Sequence, residues 1–252
     1  MSLLTLTGVR KSFGAVDVLH GVDLTVAPGE VVGLVGDNGA GKSTLMKCIT
    51  GMYRADTGEI ALDGRSILGL DPGARRALGI EMIYQDLALA RQQDVPANIF
   101  LGREPTKRFL GLVPGMIDRR AMRARAQEMI DRLGAHLPGL DRAVGSFSGG
   151  QQQTVAIARA LTFDPKLVIM DEPTAALGPQ ETARTLKLIE TVRDQGIAVV
   201  VISHSLDDVF AVSDRIQVMR RGKRVGVVDT RETDVTSVLA MIVGATDTDK
   251  AA

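Results

Sequence analysis

The chain has 252 residues, of which 45% are hydrophobic and 24% charged, enough apolar surface to bury the core of one ordinary globular domain. Its 30 basic and 30 acidic side chains sum to a net charge of zero, which excludes the strongly basic character of a protein that coats nucleic acid. A single cysteine, Cys48, excludes an internal disulfide, and no apolar run approaches the ~18 residues that cross a bilayer. Together with a start that lacks a signal peptide, these features predict a cytosolic protein.

Two kinds of strand are predicted along the chain. Apolar and polar residues alternate at 3–9, 17–26 and 58–62, which predicts half-exposed strands of a small antiparallel sheet. Short apolar runs at 30–35, Leu167–Asp171 and 198–203 predict buried, largely parallel strands. The alternation of these runs with helical segments is typical of an α/β domain.

Helices are predicted at residues 42–50, from Asp71-Pro72, at 118–133 and at Val235–Val243, followed by a polar tail. In the third of these, one face carries the apolar side chains Met122, Met129, Ile130 and Leu133. Its arginines occupy the other positions, which favours a solvated face over a nucleic-acid surface. Residues 103–115 contain several Gly and Pro among charges and predict a loop within a helical lobe.

A phosphate-binding loop follows the first buried strand and precedes the first helix. Its sequence is Gly36-Asp37-Asn38-Gly39-Ala40-Gly41-Lys42-Ser43, which matches G-x-x-x-x-G-K-[ST]. Glycines let the backbone N–H groups point inward at phosphate oxygens, and the helix N-terminus adds its positive dipole end. Lys42 is placed to bridge the β- and γ-phosphates, and Ser43 to offer its hydroxyl to Mg²⁺.

A second element is the apolar strand Leu167–Asp171, which ends in two carboxylates, Asp171 and Glu172. A buried strand delivers such groups to the edge of the sheet where ligands bind. We expect Asp171 to hold Mg²⁺ through water and Glu172 to act as general base on the attacking water.

Phe147-Ser148-Gly149-Gly150-Gln151-Gln152 lies between these two elements and resembles the signature motif of ATP-binding cassette (ABC) ATPases. The order of the phosphate loop, Gln85, the signature, the acidic strand and His204 also agrees with that family. The resemblance implies a P-loop NTPase (RecA-like) α/β fold with a mostly parallel core sheet, an N-terminal antiparallel β subdomain and an inserted α-helical subdomain. It implies one nucleotide-binding domain over residues 1–235, a helical subdomain over about 86–160, and a C-terminal helix and tail over 236–252.

The resemblance also implies an ATPase that uses ATP and Mg²⁺. Gln85 then contacts Mg²⁺ or the lytic water, His204 donates to the γ-phosphate, and Thr44 adds to the phosphate loop. Because the signature glycines open a helix whose N–H groups form a second anion site, Ser148, Gly149, Gly150 and Gln151 would serve the nucleotide of a second copy in a head-to-tail dimer. Phe13 stands where the family stacks an aromatic ring on adenine, although it could equally be a core residue.

One position departs from the family pattern. The family's Asp-loop usually ends in Asp, whereas Ala175-Ala176-Leu177-Gly178 ends in glycine, which cannot make a carboxylate contact across a dimer. Pro179 still suits the first turn of the helix that follows.

Residues 85–89 and 97–104 resemble the ATPases of bacterial monosaccharide importers of the ribose and fructose type. That likeness implies a homodimer beneath two transmembrane permease subunits on the inner face of the membrane, acting indirectly with an extracellular or periplasmic sugar-binding protein and without nucleic acid. Leu87, Leu89, Ile99 and Phe100 are candidate permease contacts, while Val95 and Ile99 could instead belong to the core of the helical lobe.

Other functions remain open. The chain could be an ABC ATPase coupled to another substrate or a P-loop kinase, although a kinase offers no account of Ser148 to Gln151. A chromosomal or ribosomal ABC protein needs a coiled-coil insertion or tandem cassettes, and a GTPase needs an Asn-Lys-x-Asp motif that the two asparagines do not supply. A hydrolytically silent binding module is separated from an enzyme only by a rate measurement.

Overall fold

The computed structural model describes residues 2–109 and 113–245. Its strands are β1 (Leu4–Phe13), β2 (Val16–Val26), β3 (Val31–Val35), β4 (Thr57–Leu62), β5 (Arg65–Ser66), β6 (Ile80–Ile83), β7 (Thr106–Phe109), β8 (Val113–Ile117), β9 (Leu167–Asp171), β10 (Ala198–Ile202), β11 (Arg215–Arg220) and β12 (Lys223–Asp229). Its α-helices are α1 (Lys42–Ile49), α2 (Pro72–Ala77), α3 (Val95–Phe100), α4 (Arg119–Arg132), α5 (Gly149–Leu161), α6 (Pro179–Asp194), α7 (Leu206–Val212) and α8 (Val235–Val243).

The central sheet has the strand order β12-β11-β3-β10-β9-β6. Every neighbouring pair is parallel except β11 and β12. Both faces are covered, so that Val31 on β3 belongs to one apolar cluster and Val32 and Leu34 to another. Burial on both faces explains why these strands read as continuous apolar runs, and the predicted mostly parallel α/β core is confirmed.

A second, antiparallel sheet has the order β2-β1-β4-β5. Leu4 and Leu6 of β1 pair with Leu62 and Ile60 of β4, and all four side chains are buried against the central sheet and α1. This confirms the predicted small antiparallel sheet, with β1 longer than expected.

The helices α3, α4 and α5 form a lobe beside the central sheet. As predicted, Met122, Met129, Ile130 and Leu133 are buried, and the arginines of α4 are exposed. The proposed permease contacts Ile99 and Phe100 are only 1% exposed and belong to the core of this lobe, as does Val95, so their assignment to the surface is wrong. Leu87 and Leu89 are half-buried.

The sequence predicts a loop over residues 103–115, and this is wrong where the structure has the strands β7 and β8. Thr106 pairs with Ile117 and Lys107 with Met116 in an antiparallel hairpin of β7 and β8. Residues 110–112 lie outside the described residues. Pairing between two short segments, rather than any periodicity within one, makes this hairpin.

The C-terminal helix α8 has the predicted bounds. Val238 and Ile242 are buried against β11 and α7. The predicted polar tail beyond residue 245 lies outside the described residues. Within residues 2–109 and 113–245, none of the helices has the length and apolar character required to span a bilayer.

Candidate nucleotide-binding site

The phosphate loop joins β3 to α1 through three glycines with positive φ. Gly36, Gly39 and Gly41 have φ values of 149°, 81° and 97°, a region that other residues rarely adopt. A Cβ on Gly36 would also lie 2.1 Å from the Met219 carbonyl oxygen of β11. The loop is thus folded tightly against the sheet and leaves its backbone N–H groups at the N-terminus of α1, where anions bind.

Lys42 opens α1 and folds back over the loop. Its Nζ donates to the carbonyl oxygens of Gly36 at 2.5 Å and Asp37 at 3.0 Å. Burial lowers the pKa of Lys42, while the nearby carboxylates of Glu172, Asp37 and Asp171 act to raise it. A half-buried cation held by two carbonyls beside three carboxylates can exchange those partners for phosphate oxygens at little steric cost.

Asp171 ends β9, beside Ile202 at the end of β10. Burial raises the pKa of its carboxyl, the neighbouring Glu172 raises it further, and Lys42 and Lys47 oppose the shift. A partly desolvated carboxylate at a sheet edge, close to a lysine, is suited to hold a divalent cation.

Glu172 follows with a φ of 50°, a left-handed backbone that is rare outside glycine. Its backbone N–H donates to the Ile202 carbonyl at 2.8 Å, and its Oε2 lies 2.7 Å from Nδ1 of His204. Glu172 is largely buried, whereas the His204 side chain is 75% exposed. The sequence predicted each of these residues separately but not their contact. The contact forms because β9 and β10 pair along their whole length, so that the residues after their carboxyl ends lie side by side.

One cavity of about 270 Å³ collects most of the predicted groups. It is lined by the predicted residues Asn38, Gly39, Ala40, Gly41, Lys42, Ser43, Thr44, Gln85, Asp171 and Glu172. Asp37 lines an adjoining cavity, which shares Asn38, Gly39 and Ala40 with the first. Val18 of β2 and Ile202 of β10 also line the first cavity, and sequence reasoning missed both because they look like ordinary strand residues.

Phe13 ends β1 and is 43% exposed, so the alternative that it belongs to the core is wrong. Its ring packs edge-on against Tyr53 with centroids 5.1 Å apart, and Lys11 Nζ lies 5.3 Å from its centroid. An exposed aromatic supported from one side offers its other surface to a flat ligand.

The signature segment forms the N-terminus of α5, which starts at Gly149. Ser148 is the N-cap: its Oγ accepts from the Gln151 N–H at 3.4 Å, and Gln151 Oε1 accepts from the Ser148 N–H at 3.0 Å. Ser148 and Gly149 are exposed, and this segment is not part of the lining of the 270 Å³ cavity. The structure therefore does not bring the two predicted phosphate sites together within one copy.

The loop after Glu172 leads into α6. Gly178 is the N-cap of α6 and has no side-chain cap, and Pro179 occupies the first turn as predicted. Among residues 2–109 and 113–245, a Cβ at Gly178 would meet nothing within 4 Å, so no described neighbour requires glycine there.

Comparisons of the sequence and of the fold with known proteins identify related chains. Residues 19–175 match the ABC transporter family. The chain is 46% identical over 241 residues to a ribose import ATP-binding protein of Chromobacterium violaceum, covering 96% of this chain and 47% of that protein. It is 42% identical over 245 residues to a fructose import ATP-binding protein of Rhizobium meliloti, covering 96% of this chain and 94% of that protein.

The chain therefore spans about half the length of the ribose relative and nearly all of the fructose relative. Among solved structures, a dimeric ATP-binding cassette in a post-hydrolysis state bound to ADP and Pi superposes with a TM-score of 0.75. The two share 26% identity, and the match covers 91% of this chain and 100% of that one.

Proposed function

Because this chain belongs to the ABC transporter family, we propose that it is the ATP-hydrolysing subunit that drives a sugar importer. The observation that supports this most is the single cavity in which the N-terminus of α1, Lys42, Asp171 and Glu172 meet. The identity to ribose and fructose import proteins supports a monosaccharide as the cargo.

The phosphates of ATP would lie against the N–H groups of residues 38–44, where the α1 dipole and Lys42 stabilise their charge. Phe13 would stack on the adenine, with its ring held by its T-shaped contact with Tyr53. Gly36, whose Cβ position is filled by the Met219 carbonyl, sets the curvature of the loop rather than contacting the ligand.

The oxygen donors in the cavity fit a magnesium ion. Ser43, Gln85 and Asp171 line it together, and hydroxyl, amide and carboxylate oxygens are the hard ligands that Mg²⁺ prefers. When bound there, Mg²⁺ would neutralise charge on the β- and γ-phosphates. The raised pKa of Asp171 fits this role, since a carboxylate made costly by burial gains the most from a cation.

Glu172 is the proposed general base. Its carboxylate is held by the His204 ring at 2.7 Å and by a strained backbone at φ 50°, both of which fix its direction. His204, largely exposed, would donate to the γ-phosphate, and Gln85 would contact the metal or the lytic water.

The signature segment completes the site from a second copy. Ser148 and Gly149 are exposed and Gly150 is half-buried at the N-terminus of α5, and the dimeric ATP-binding cassette among the structural relatives supports a paired arrangement. Two nucleotides would be enclosed between two copies, and loss of the γ-phosphate would remove the contact that holds them closed.

The membrane partner would be a permease that holds the chain at the inner face of the membrane and receives its movement. The helical lobe, with a groove at the edge of β6 lined by Leu101, Arg103 and Arg159, is the proposed docking surface. Arg159 supports this groove by donating to the carbonyls of Leu87 and Ala88, each at 2.7 Å. A sugar-binding protein on the far side would act only through the permease.

The catalytic assignment is tested with Glu172→Gln. We expect ATP hydrolysis to fall by about 10²–10⁴-fold with ATP binding retained, because the amide keeps the shape but cannot accept the proton. Glu128→Gln, which removes an exposed carboxylate of α4, should hydrolyse ATP normally. Normal turnover by Glu172→Gln would refute the assignment.

The importer assignment is tested by purifying the tagged full chain from its native membranes and identifying what accompanies it. A sugar permease is the expected partner. Recovery of a nucleic-acid or ribosomal partner would overturn the proposal.

A further inference from the structure

The carboxylate of Glu181 lies against the two signature glycines. A Cβ placed on Gly150 would be 3.1 Å from Glu181 Cβ and 3.4 Å from its carboxyl carbon, and a Cβ placed on Gly149 would be 3.8 Å from a Glu181 oxygen. Glu181 belongs to the first turn of α6, while the glycines form the first turn of α5. The carboxylate therefore sits where the positive ends of two helices converge.

The donors that Glu181 faces are those proposed for the second copy's γ-phosphate. Hydrogen bonds from the Ser148 hydroxyl, then from the Gly150 N–H, with a further one from the Gly178 N–H, lower the pKa of Glu181, and Arg184 adds to the effect. Ser148 Oγ accepts from the Gln151 N–H, which leaves its own proton to donate.

We propose that Glu181 is a positioning residue that occupies the signature anion site in the free cassette and must give up these donors when the nucleotide of a second copy arrives. The inference rests on the proposed ATP-sandwich dimer and deepens it. Between turnover cycles, the Glu181 carboxylate accepts hydrogen bonds from donors in the first turn of α5. It opposes closure of the dimer, because its negative charge lies beside the position of the incoming phosphate.

The departure at Gly178 fits this arrangement. Gly178 has no carboxylate to offer a second copy. The nearest carboxylate along the chain is that of Glu181, three residues later in the first turn of α6, and its hydrogen-bond donors belong to the same chain. If Glu181 served only as a helix cap, a hydrogen-bond acceptor would be enough at this position. The proposed role requires a negative charge as well. Glutamine separates the two because it keeps the acceptor and removes the charge.

The experiment uses the full chain in the Glu172→Gln background, so that ATP persists. Sedimentation velocity gives the dimer dissociation constant in saturating ATP for the background, for added Glu181→Gln, and for added Glu190→Gln. Glu190→Gln is the matched control, because it removes a carboxylate of the same helix whose neighbour is Lys187 rather than the signature. A Glu181→Ala variant removes charge and acceptor together, and thermal unfolding shows that each variant is folded.

We expect Glu181→Gln to tighten the ATP dimer by about 3- to 30-fold, the effect of removing one charge at a helix N-terminus in each of two sites, and Glu190→Gln to leave it unchanged. Glu181→Ala should also tighten it, and the affinity of each monomer for ADP should not move. An equal or weaker ATP dimer with Glu181→Gln would overturn the inference alone. No ATP-dependent dimer in any variant would overturn the proposed sandwich and the inference with it.

Discussion

Replacing Arg75 by methionine should destabilise the fold, because Arg75 is a buried cation that closes the end of the helix behind the phosphate loop. It is 1% exposed on α2. Its guanidinium donates to the carbonyls of Cys48 and Ile49, the last at 2.8 Å, and to the Leu70 carbonyl at 3.0 Å. Burial lowers the pKa of Arg75, so this cation is retained at an electrostatic cost.

The size of the effect follows from those three acceptors. A buried carbonyl left without a donor costs about 1–3 kcal/mol, so three give about 3–9 kcal/mol. Methionine fills part of the volume and removes the desolvation of the charge, which offsets some of this loss. We therefore expect Arg75→Met to lower the free energy of unfolding by about 3–5 kcal/mol, a large part of the ~5–15 kcal/mol of an ordinary domain.

Urea unfolding followed by far-ultraviolet circular dichroism measures this, since the chain has no tryptophan to report by fluorescence. The matched control is Arg76→Met on the same helix. Arg76 is half-exposed and lies 3.4 Å from Glu81, which keeps a closer partner in Arg103 at 2.6 Å. The control should cost less than about 1 kcal/mol. A loss below about 1 kcal/mol for Arg75→Met, or equal losses in both variants, would refute the reasoning.

Two further predictions concern buried titratable groups. Burial raises the pKa of the Cys48 thiol to about 11, so iodoacetamide at pH 8 should alkylate the native chain at least ~100-fold more slowly than the urea-unfolded chain. Similar alkylation rates for the two would contradict the burial of Cys48. Asp171→Asn should stabilise the ligand-free chain by about 1 kcal/mol at pH 8, because burial and Glu172 make its carboxylate form costly in the fold. This gain should shrink as the pH falls through the raised pKa of the folded carboxyl, because protonation removes the penalty. A destabilised variant in urea at pH 8 would count against it.

Local patterns predicted the groups of the phosphate site. The spacing of Gly36, Gly41 and Lys42 after an apolar run specifies a strand, a turn and a helix N-terminus within a few residues, and the acidic end of β9 is equally local. The parallel sheet then brings the two segments to one edge. The proposed roles of these residues stay predictions until they are tested by substitution.

Contacts between distant segments were not predictable in the same way. Arg75 and Arg76 are neighbours in a short polar helix, and only the packing of α1 decides that one is buried and the other exposed. Likewise, nothing in the sequence near Ile99 distinguishes a core residue of the lobe from a surface contact.

The same limit applies to the carboxylates. Glu172 meets His204, and Glu181 meets Gly150, across some thirty residues of intervening chain, and neither pairing leaves a periodic signal. The hairpin of β7 and β8 was missed because its strands are short and stabilise each other rather than carrying a strong pattern of their own.

Mixing two inactive variants tests the shared nucleotide site most directly. Lys42→Ala disables a copy's own phosphate loop, and Gly150→Asp places a carboxylate in the signature that serves the other copy. Each alone should hydrolyse ATP at a small fraction of the wild-type rate. Equal amounts mixed should recover about a quarter of that rate, since random pairing makes half the dimers mixed and each of these has one intact site. A mixture no more active than the mean of its two parents would contradict a site built from two copies.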